Sequence, residues 1–283
     1  MTKKLIYDLS IDELTHWVSK QGEPKYRTAQ IWEGLYQQYY SDPASYSNLS
    51  KTLKKHLDQF FNFSPLIPRA TLSSRDGNTE KTLFELNKGA KIETVLMRYA
   101  SRNSLCVSTQ SGCAMGCTFC ATGQMGFIRH LTSGEIIAQV IHYTNKLRQS
   151  SETLTNVVFM GMGEPFQNYD ACLDALRRLN DPDGFNMGSR RFTISTVGIV
   201  PKINKFADEG LQVNLAISLH AANNALRSSL IPINRMYPID KVIEAVKYYI
   251  QKTNRRVSFE YALINGVNDS NLEAMELGDL LKG

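Results

Sequence analysis

Cysteine is scarce in this 283-residue sequence, and the patterns missing around it exclude more than its number does. Five cysteines, three of them crowded together, do not form the evenly spread set that a disulfide framework needs. No second Cys-x2-Cys and no close histidine pair appears, so the usual spacing of a four-ligand zinc site is absent. No run reaches the ~18 apolar residues of a spanning helix, and the opening Met-Thr-Lys-Lys-Leu-Ile-Tyr-Asp lacks the apolar stretch of a secretory leader. A cytoplasmic protein without membrane contact is therefore expected. Charge of one sign is also in short supply, since a net +5 favours a polyanionic partner only weakly. Basic pairs recur at Lys54-Lys55, Arg177-Arg178, Arg190-Arg191 and Arg255-Arg256. They would neutralise phosphates if the fold gathered them on one face, and solvated surface charge is the competing reading.

What is present is the run Cys113-Ala-Met-Gly-Cys117-Thr-Phe-Cys120. A [4Fe–4S] cluster held wholly by protein takes four thiolates. Three thiolates at this spacing leave one iron open to a ligand that is not protein. The alternative is structural zinc with Cys106 recruited as fourth ligand. Against it, six residues of apparently extended chain separate Cys106 from Cys113.

The composition, 42% hydrophobic and 21% charged, suits a globular protein with a sizeable core. Residues 11–61 carry helical periodicity, with a start signal at Ser10-Ile-Asp-Glu13 and breaks at Gly22-Glu-Pro24 and Asp42-Pro43. Residues 70–99 alternate like antiparallel strands, with turns at Asp76-Gly-Asn78 and Asn87-Lys-Gly89. Beyond Ser104, β-rich runs at 105–108, 157–160, 192–195, 215–218 and 257–264 alternate with helical stretches, which predicts parallel βα units. The expected organisation is a helical domain at 1–65, an antiparallel β extension at 66–103 and a (βα) body at 104–283.

In parallel sheets ligands bind beyond the carboxyl ends of the strands. The polar motifs fall there: the cysteines after the first strand, Gly161-Met-Gly163-Glu164-Pro165 after the second, Ser195-Thr196 at the third, and Ser218-Leu219-His220 at the fourth. Glycines allow close backbone approach, Glu164 can pair with the α-ammonium of an amino-acid ligand, and Ser195 and Ser218 can hold a carboxylate or ribose. His220 stays open between ligand contact and a hydrogen-bonded structural role. Cys172, in an amphipathic helical run, is expected to be packing, and Cys106 reads equally as an apolar strand cysteine.

Taken together, Leu-Cys106-Val-Ser-Thr-Gln-Ser-Gly-Cys113 with its two following cysteines, Gly-Met-Gly-Glu164-Pro, Ser195-Thr-Val-Gly and Ser218-Leu-His220-Ala resemble the radical-SAM adenine-carbon-2 RNA methyltransferases. The stretch Gly-Glu-Pro-Lys25-Tyr-Arg-Thr-Ala-Gln-Ile-Trp is similar to that family's helical domain. The resemblance covers essentially the whole chain. It implies an α/β fold with an incomplete parallel (βα) barrel of the radical-SAM type, preceded by a small helical domain and a short antiparallel β layer. It also implies a [4Fe–4S] cluster on Cys113, Cys117 and Cys120, and S-adenosylmethionine bound by Gly163, Glu164, Ser195, Ser218, Leu219 and His220. The implied substrates are an adenine of 23S rRNA and, in dual-specificity members, an adenosine beside the tRNA anticodon. An electron donor such as flavodoxin or ferredoxin is expected, with a monomeric protein and RNA contacts at Lys25, Arg27, Lys54 and Lys55.

In the family scheme a cysteine near the C-terminus carries the methyl group, a second cysteine resolves the protein–RNA link through a transient disulfide, and a carboxylate takes the ring proton. Cys106 matches the second cysteine and Glu93 the carboxylate. From the residues alone Glu93 reads as an outward-facing strand residue. No cysteine follows Cys172, and the family continues through a sixth strand and a cysteine-bearing tail. The chain, ending at Leu-Leu-Lys-Gly, is therefore expected to be a fragment that binds the cluster without methylating RNA, with an exposed strand edge and an uncovered last helix. Three alternatives are a carbon-8 adenine rRNA methyltransferase, a radical enzyme acting on a protein or small molecule, and a metal-containing RNA-binding protein that uses Tyr39 and Tyr40.

Overall fold

The computed structural model describes residues 3–282. A short strand β1 (Lys4–Leu5) leads into helices α1 (Ile11–Lys20), α2 (Tyr26–Tyr36) and α3 (Lys51–Phe60), and β2 (Phe61–Asn62) then returns parallel to β1. Helix α1 starts where its signal predicts. The Ser10 hydroxyl accepts from the Glu13 N–H and the Glu13 carboxylate accepts from the Ser10 N–H, which satisfies two donors that a helix start leaves open. Leu14 and Val18, Ile31 and Leu35, and Leu53 and Leu57 are spaced four apart, share a face on their helices and are buried. They merge into one apolar core with the later helices and strands. Across that junction the Arg178 guanidinium donates to the carbonyls of Tyr7 and Leu9.

This packing corrects several surface expectations. Tyr39 and Tyr40 are half-buried, Tyr39 against Phe185 at 5.9 Å between ring centroids and Tyr40 edge-on to Tyr46 at 4.8 Å. The Arg27 guanidinium is engaged by the Gln30 side chain and the Asn48 carbonyl, whereas Lys25 and Lys55 remain exposed and Lys54 reaches the Ala44 carbonyl at 3.4 Å. Arg178 and Arg255 are likewise tied down, by Asp174 and Asn214, so these two basic pairs do not act as units.

Strands β3 (Ile67–Ser73), β4 (Thr79–Glu85) and β5 (Lys91–Tyr99) are antiparallel, and their turns fall at the two predicted sites. The Asp76 carboxylate accepts from the Asn78 N–H at 3.0 Å, and Lys88 adopts φ 65°. Then come β6 (Arg102–Cys106), β7 (Gln110–Gly112), α4 (Ala121–Gln124), β8 (Phe127–His130), α5 (Ser133–Gln149), β9 (Asn156–Phe159), α6 (Tyr169–Asn180), β10 (Phe192–Thr196), α7 (Val200–Asp208), β11 (Asn214–Ser218), α8 (Asn224–Leu230), α9 (Ile239–Thr253), β12 (Val257–Glu260) and α10 (Asn271–Leu281).

Eight strands form one sheet in the order β12-β11-β10-β9-β6-β5-β4-β3. Strand β6 pairs antiparallel with β5 and parallel with β9, so the expected boundary at residue 103 falls inside it. The five strands from β6 to β12 make the incomplete parallel (βα) barrel. One sheet face lies under helices: the Thr94 hydroxyl donates to Gln139 of α5 at 2.8 Å, and Tyr143 of α5 donates to Thr82. Strand pleating turns alternate residues to the other face. There the register lines up Val95, Cys106, Val158 and Thr193, with Glu93 two residues from Val95.

Strand β12 ends at Glu260, four residues before its predicted end. Buried Asn268 accounts for the stop. Its amide donates to the carbonyls of His220 and Ala262 and its oxygen accepts from the Ile264 N–H, which folds the chain back on itself. Leu263, read as a strand residue, is 77% exposed. Leu272 and Met275 of α10 are also exposed.

Candidate active site

The cysteine loop is built on the hairpin of β7 and β8. A Cβ at Gly112, where φ is 73°, would collide with the Gly126 carbonyl, which instead accepts from the Cys113 N–H at 3.0 Å. On the far side the Thr118 N–H donates to the Leu230 carbonyl at the end of α8. Cys117 is buried among Met115, Ala221, Leu230 and Ile231, and Cys113 and Cys120 pack against that cluster. All three cysteines line one cavity of about 260 Å³ at the carboxyl ends of the parallel strands. Burial pushes the Cys117 thiol up to about 12 and raises Cys113, so a metal must displace protons to bind there.

Zinc would require four ligands within about 2.3 Å of one centre. Among the described residues no three His, Cys, Asp or Glu side chains converge on a single ion. Three thiols spread around a cavity with an apolar floor fit a cluster, whose irons are held at separate corners.

Glu164, Ser195, Ser218 and His220 line the same cavity. Glu164 is buried, and each carboxylate oxygen accepts one backbone N–H, from Phe166 at 3.0 Å and Val197 at 2.9 Å. Desolvation nonetheless outweighs these donors and pushes its pKa up to about 7. An ammonium group beside it would restore the charge. The Ser195 and Ser218 hydroxyls meet at 3.3 Å across β10 and β11. His220, at φ 57°, accepts the Ala262 N–H on Nδ1 at 2.9 Å. Desolvation first and the nearby Arg227 charge second lower it to about 4, so the ring is neutral with its proton on Nε2. His220 thus has a structural bond and also a free donor on a cavity-lining ring.

Gly161 and Gly163 also line this cavity. Gly163 has φ 100°, and a Cβ there would lie 2.5 Å from Cβ of Gln110. The close approach it allows is to the protein's own chain: Gln110 accepts the Glu164 N–H at 2.9 Å and so seats that loop. Leu219 is fully buried and its side chain does not line the cavity; its backbone donates to the Glu260 carbonyl and accepts from Arg227.

Neither Cys106 nor Glu93 lines this cavity; they share the open sheet face beside it. The Cys106 thiol lies beside the backbone of Met160, which lines the cavity, and burial pushes the thiol up to about 11. Glu93 is half-exposed on the same sheet face and pairs with Lys81 at 3.0 Å. A larger cavity of about 420 Å³, bordered by Tyr7, Phe63, His142 and Lys146, contains no thiol or carboxylate.

Sequence reasoning missed Gln110, Asn268 and Arg227. Each acts through long-range bonds to backbone groups, which leave no local pattern. Arg227 stands in Asn-Ala-Leu-Arg-Ser-Ser-Leu, where an arginine reads as helix surface, yet it is fully buried.

Comparison with known proteins agrees with this geometry. The radical SAM superfamily matches residues 107–277, and the ribosomal RNA large subunit methyltransferase N-terminal domain matches residues 5–62. A protein of Geobacillus kaustophilus (strain HTA426) named "Probable dual-specificity RNA methyltransferase RlmN" is 51% identical over 278 residues, covering 98% of this chain and 76% of that protein. The protein of the same name from Staphylococcus aureus (strain JH9) is 49% identical, covering 99% and 77%. The crystal structure of a radical SAM methyltransferase from Sphaerobacter thermophilus superposes with a TM-score of 0.96 at 49% identity, covering 99% of this chain and 82% of that one.

Proposed function

Since the chain belongs to the radical SAM superfamily and, within it, to the RlmN-type RNA methyltransferases, we propose that its cavity serves methylation of adenine carbon 2 in 23S rRNA and beside the tRNA anticodon. Enzymes of this family use a [4Fe–4S] cluster and S-adenosylmethionine, which together supply a hydrogen-abstracting radical. The observation that carries the reading is the meeting of three cysteines with Glu164, Ser195, Ser218 and His220 in one cavity, beside a wall that bears Cys106.

The chain's own groups divide the work. Cys113, Cys117 and Cys120 hold three corners of the cluster. Glu164 keeps free lone pairs for the cofactor's ammonium, and the paired serine hydroxyls and the His220 Nε2–H orient its carboxylate and ribose. Glu93 takes the ring proton of the adenine, and Cys106 closes on the methyl-carrying cysteine. That carrier is not among the five cysteines of this sequence, because Cys172 is buried in α6. Exposed Lys25 and Lys55 on the helical part serve RNA phosphates, so binding weakens steeply with salt. A low-potential flavodoxin or ferredoxin supplies the electron, and the protein works as a monomer in the cytoplasm.

Anaerobic reconstitution with iron and sulfide tests the proposal. The expected result is a brown protein with about four irons that cleaves S-adenosylmethionine reductively to 5′-deoxyadenosine and binds adenine-containing RNA. A colourless protein holding one zinc would overturn it. With a carrier cysteine supplied, mass spectrometry of digested RNA should find 2-methyladenosine; 8-methyladenosine would reassign the position.

A further inference from the structure

The most unusual group outside the residues already assigned is Arg227. Its guanidinium is fully buried, and four of its N–H groups donate to neutral oxygens: the carbonyls of Leu219 at 3.0 Å, Val197 at 2.7 Å and Ser218 at 3.0 Å, and Oδ1 of Asn234 at 2.8 Å. Among the described residues no Asp or Glu pairs with it. These bonds occupy four of its five N–H donors but leave the positive charge uncompensated, and a buried charge without a counter-charge is strongly disfavoured. Two of the carbonyls it holds belong to Val197 and Ser218, which line the cysteine cavity, and its helix neighbours Leu226 and Leu230 pack into the apolar cluster that contains Cys117.

The placement is specific. Arg227 lies on α8, whose last residues Ser229 and Leu230 accept from the Thr118 hydroxyl and N–H, so the same helix grips the cysteine loop. Its own acceptors sit at the ends of β10 and β11, next to Ser195 and Ser218.

We propose that Arg227 is the built-in counter-charge of the iron–sulfur site, a positioning residue that stabilises the one-electron-reduced cluster. The inference rests on the assignment of Cys113, Cys117 and Cys120 as cluster ligands. Three thiolates on a doubly positive iron–sulfur core give a net negative charge, and one electron from a low-potential donor deepens it. A fixed cation nearby therefore raises the reduction potential, and net charge and hydrogen bonding around a cluster are known levers on that potential.

The test is a spectroscopically monitored redox titration of the reconstituted protein, with iron content and thermal melting of the same samples. Two neutralising changes are compared: Arg227→Gln, which removes the charge, and Asn234→Asp, which keeps the guanidinium and places a carboxylate against it. Both are expected to disfavour the reduced form about tenfold, a shift of about 59 mV to more negative potential for one electron. Arg227→Lys is expected to melt earlier, because the fork of four bonds is lost, yet to keep its potential near the parent's. Neutral variants that hold four irons at the parent's potential, differing only in melting temperature, would overturn the inference and leave Arg227 a purely structural clamp. If Arg227→Gln fails to fold, Asn234→Asp decides the matter alone. A parent protein that holds no cluster would sink the ligand assignment itself, a result distinct from an unshifted potential.

Discussion

Away from the helix-covered face, the two halves of the sheet treat polar groups in opposite ways. In the antiparallel half, polar side chains on the open face stay close to water and pair with each other: Arg69 with Glu85 at 2.9 Å and Lys81 with Glu93 at 3.0 Å, while every residue of β3 is exposed. In the parallel half, the strand ends bury Glu164, Ser195, His220 and Arg227. Exposed pairs contribute little to stability, whereas buried polar groups are costly unless fully bonded. A fold keeps the second kind where it needs a shaped electrostatic environment. The difference separates residues that hold the sheet together from residues that hold a ligand.

The sharpest test of that contrast is Cys117→Ala. It should abolish iron retention and cofactor cleavage while far-ultraviolet circular dichroism stays near the parent's, measured after anaerobic reconstitution. A large effect on the fold itself is expected from Gly163→Ala, because the new Cβ meets Gln110 at a backbone angle that L-residues avoid. A loss of about 2 kcal/mol in urea denaturation is expected. A stability unchanged by this substitution would mean that the loop yields easily and that the parallel half is not tightly built.

An intermediate effect concerns pH in the cluster-free protein. His220 titrates near 6.5 when unfolded and about 4 when folded, so the unfolded state binds more protons between those values and stability falls as pH drops through that window. Glu164 has the opposite sign. Its folded value of about 7 lies above the usual 4.5, so its contribution is full below about 4.5 and is lost as pH rises through about 7. The two slopes oppose each other between about 4.5 and 6.5. His220→Asn, which keeps an acceptor for the Ala262 N–H and tolerates positive φ, should unmask the Glu164 slope as greater stability at pH 5 than at pH 7. A profile that still rises with pH would break the argument.

The smallest effect belongs to the antiparallel half. Glu93→Gln should change stability by no more than ~0.5 kcal/mol and leave reductive cofactor cleavage at the parent rate. A large loss of cleavage would place Glu93 at the cofactor instead of the substrate.

Local patterns made much of this molecule legible. The Ser10 cap, the turns at Asp76-Gly77 and Asn87-Lys-Gly89, and the β-rich runs are short-range signals, and the structure follows them closely. The cysteine spacing and the strand-end motifs were readable because parallel sheets direct those loops to one rim. Other features depend on partners distant in sequence. Asn268 halts β12 through His220 and Ala262, and Arg227 satisfies itself on three separate loops, so neither announces its burial. Tyr39 and Tyr40 look like surface aromatics until Phe185 and Tyr46 are brought against them. Leu219 stands within a cavity motif, yet its side chain turns inward, a placement no local pattern signals.

Strand β6 gives the sheet a temporal order as well as a spatial one. Its antiparallel partner β5 directly precedes it in sequence through a tight turn, whereas its parallel partner β9 arrives only after β7, α4, β8 and α5 have been laid down. Near contacts close faster than distant ones, because less chain freedom is lost in making them. The meander from β3 to β6 is therefore expected to assemble first and to present an edge on which the barrel strands add. In that order the wall bearing Cys106 would be set before the neighbouring cavity.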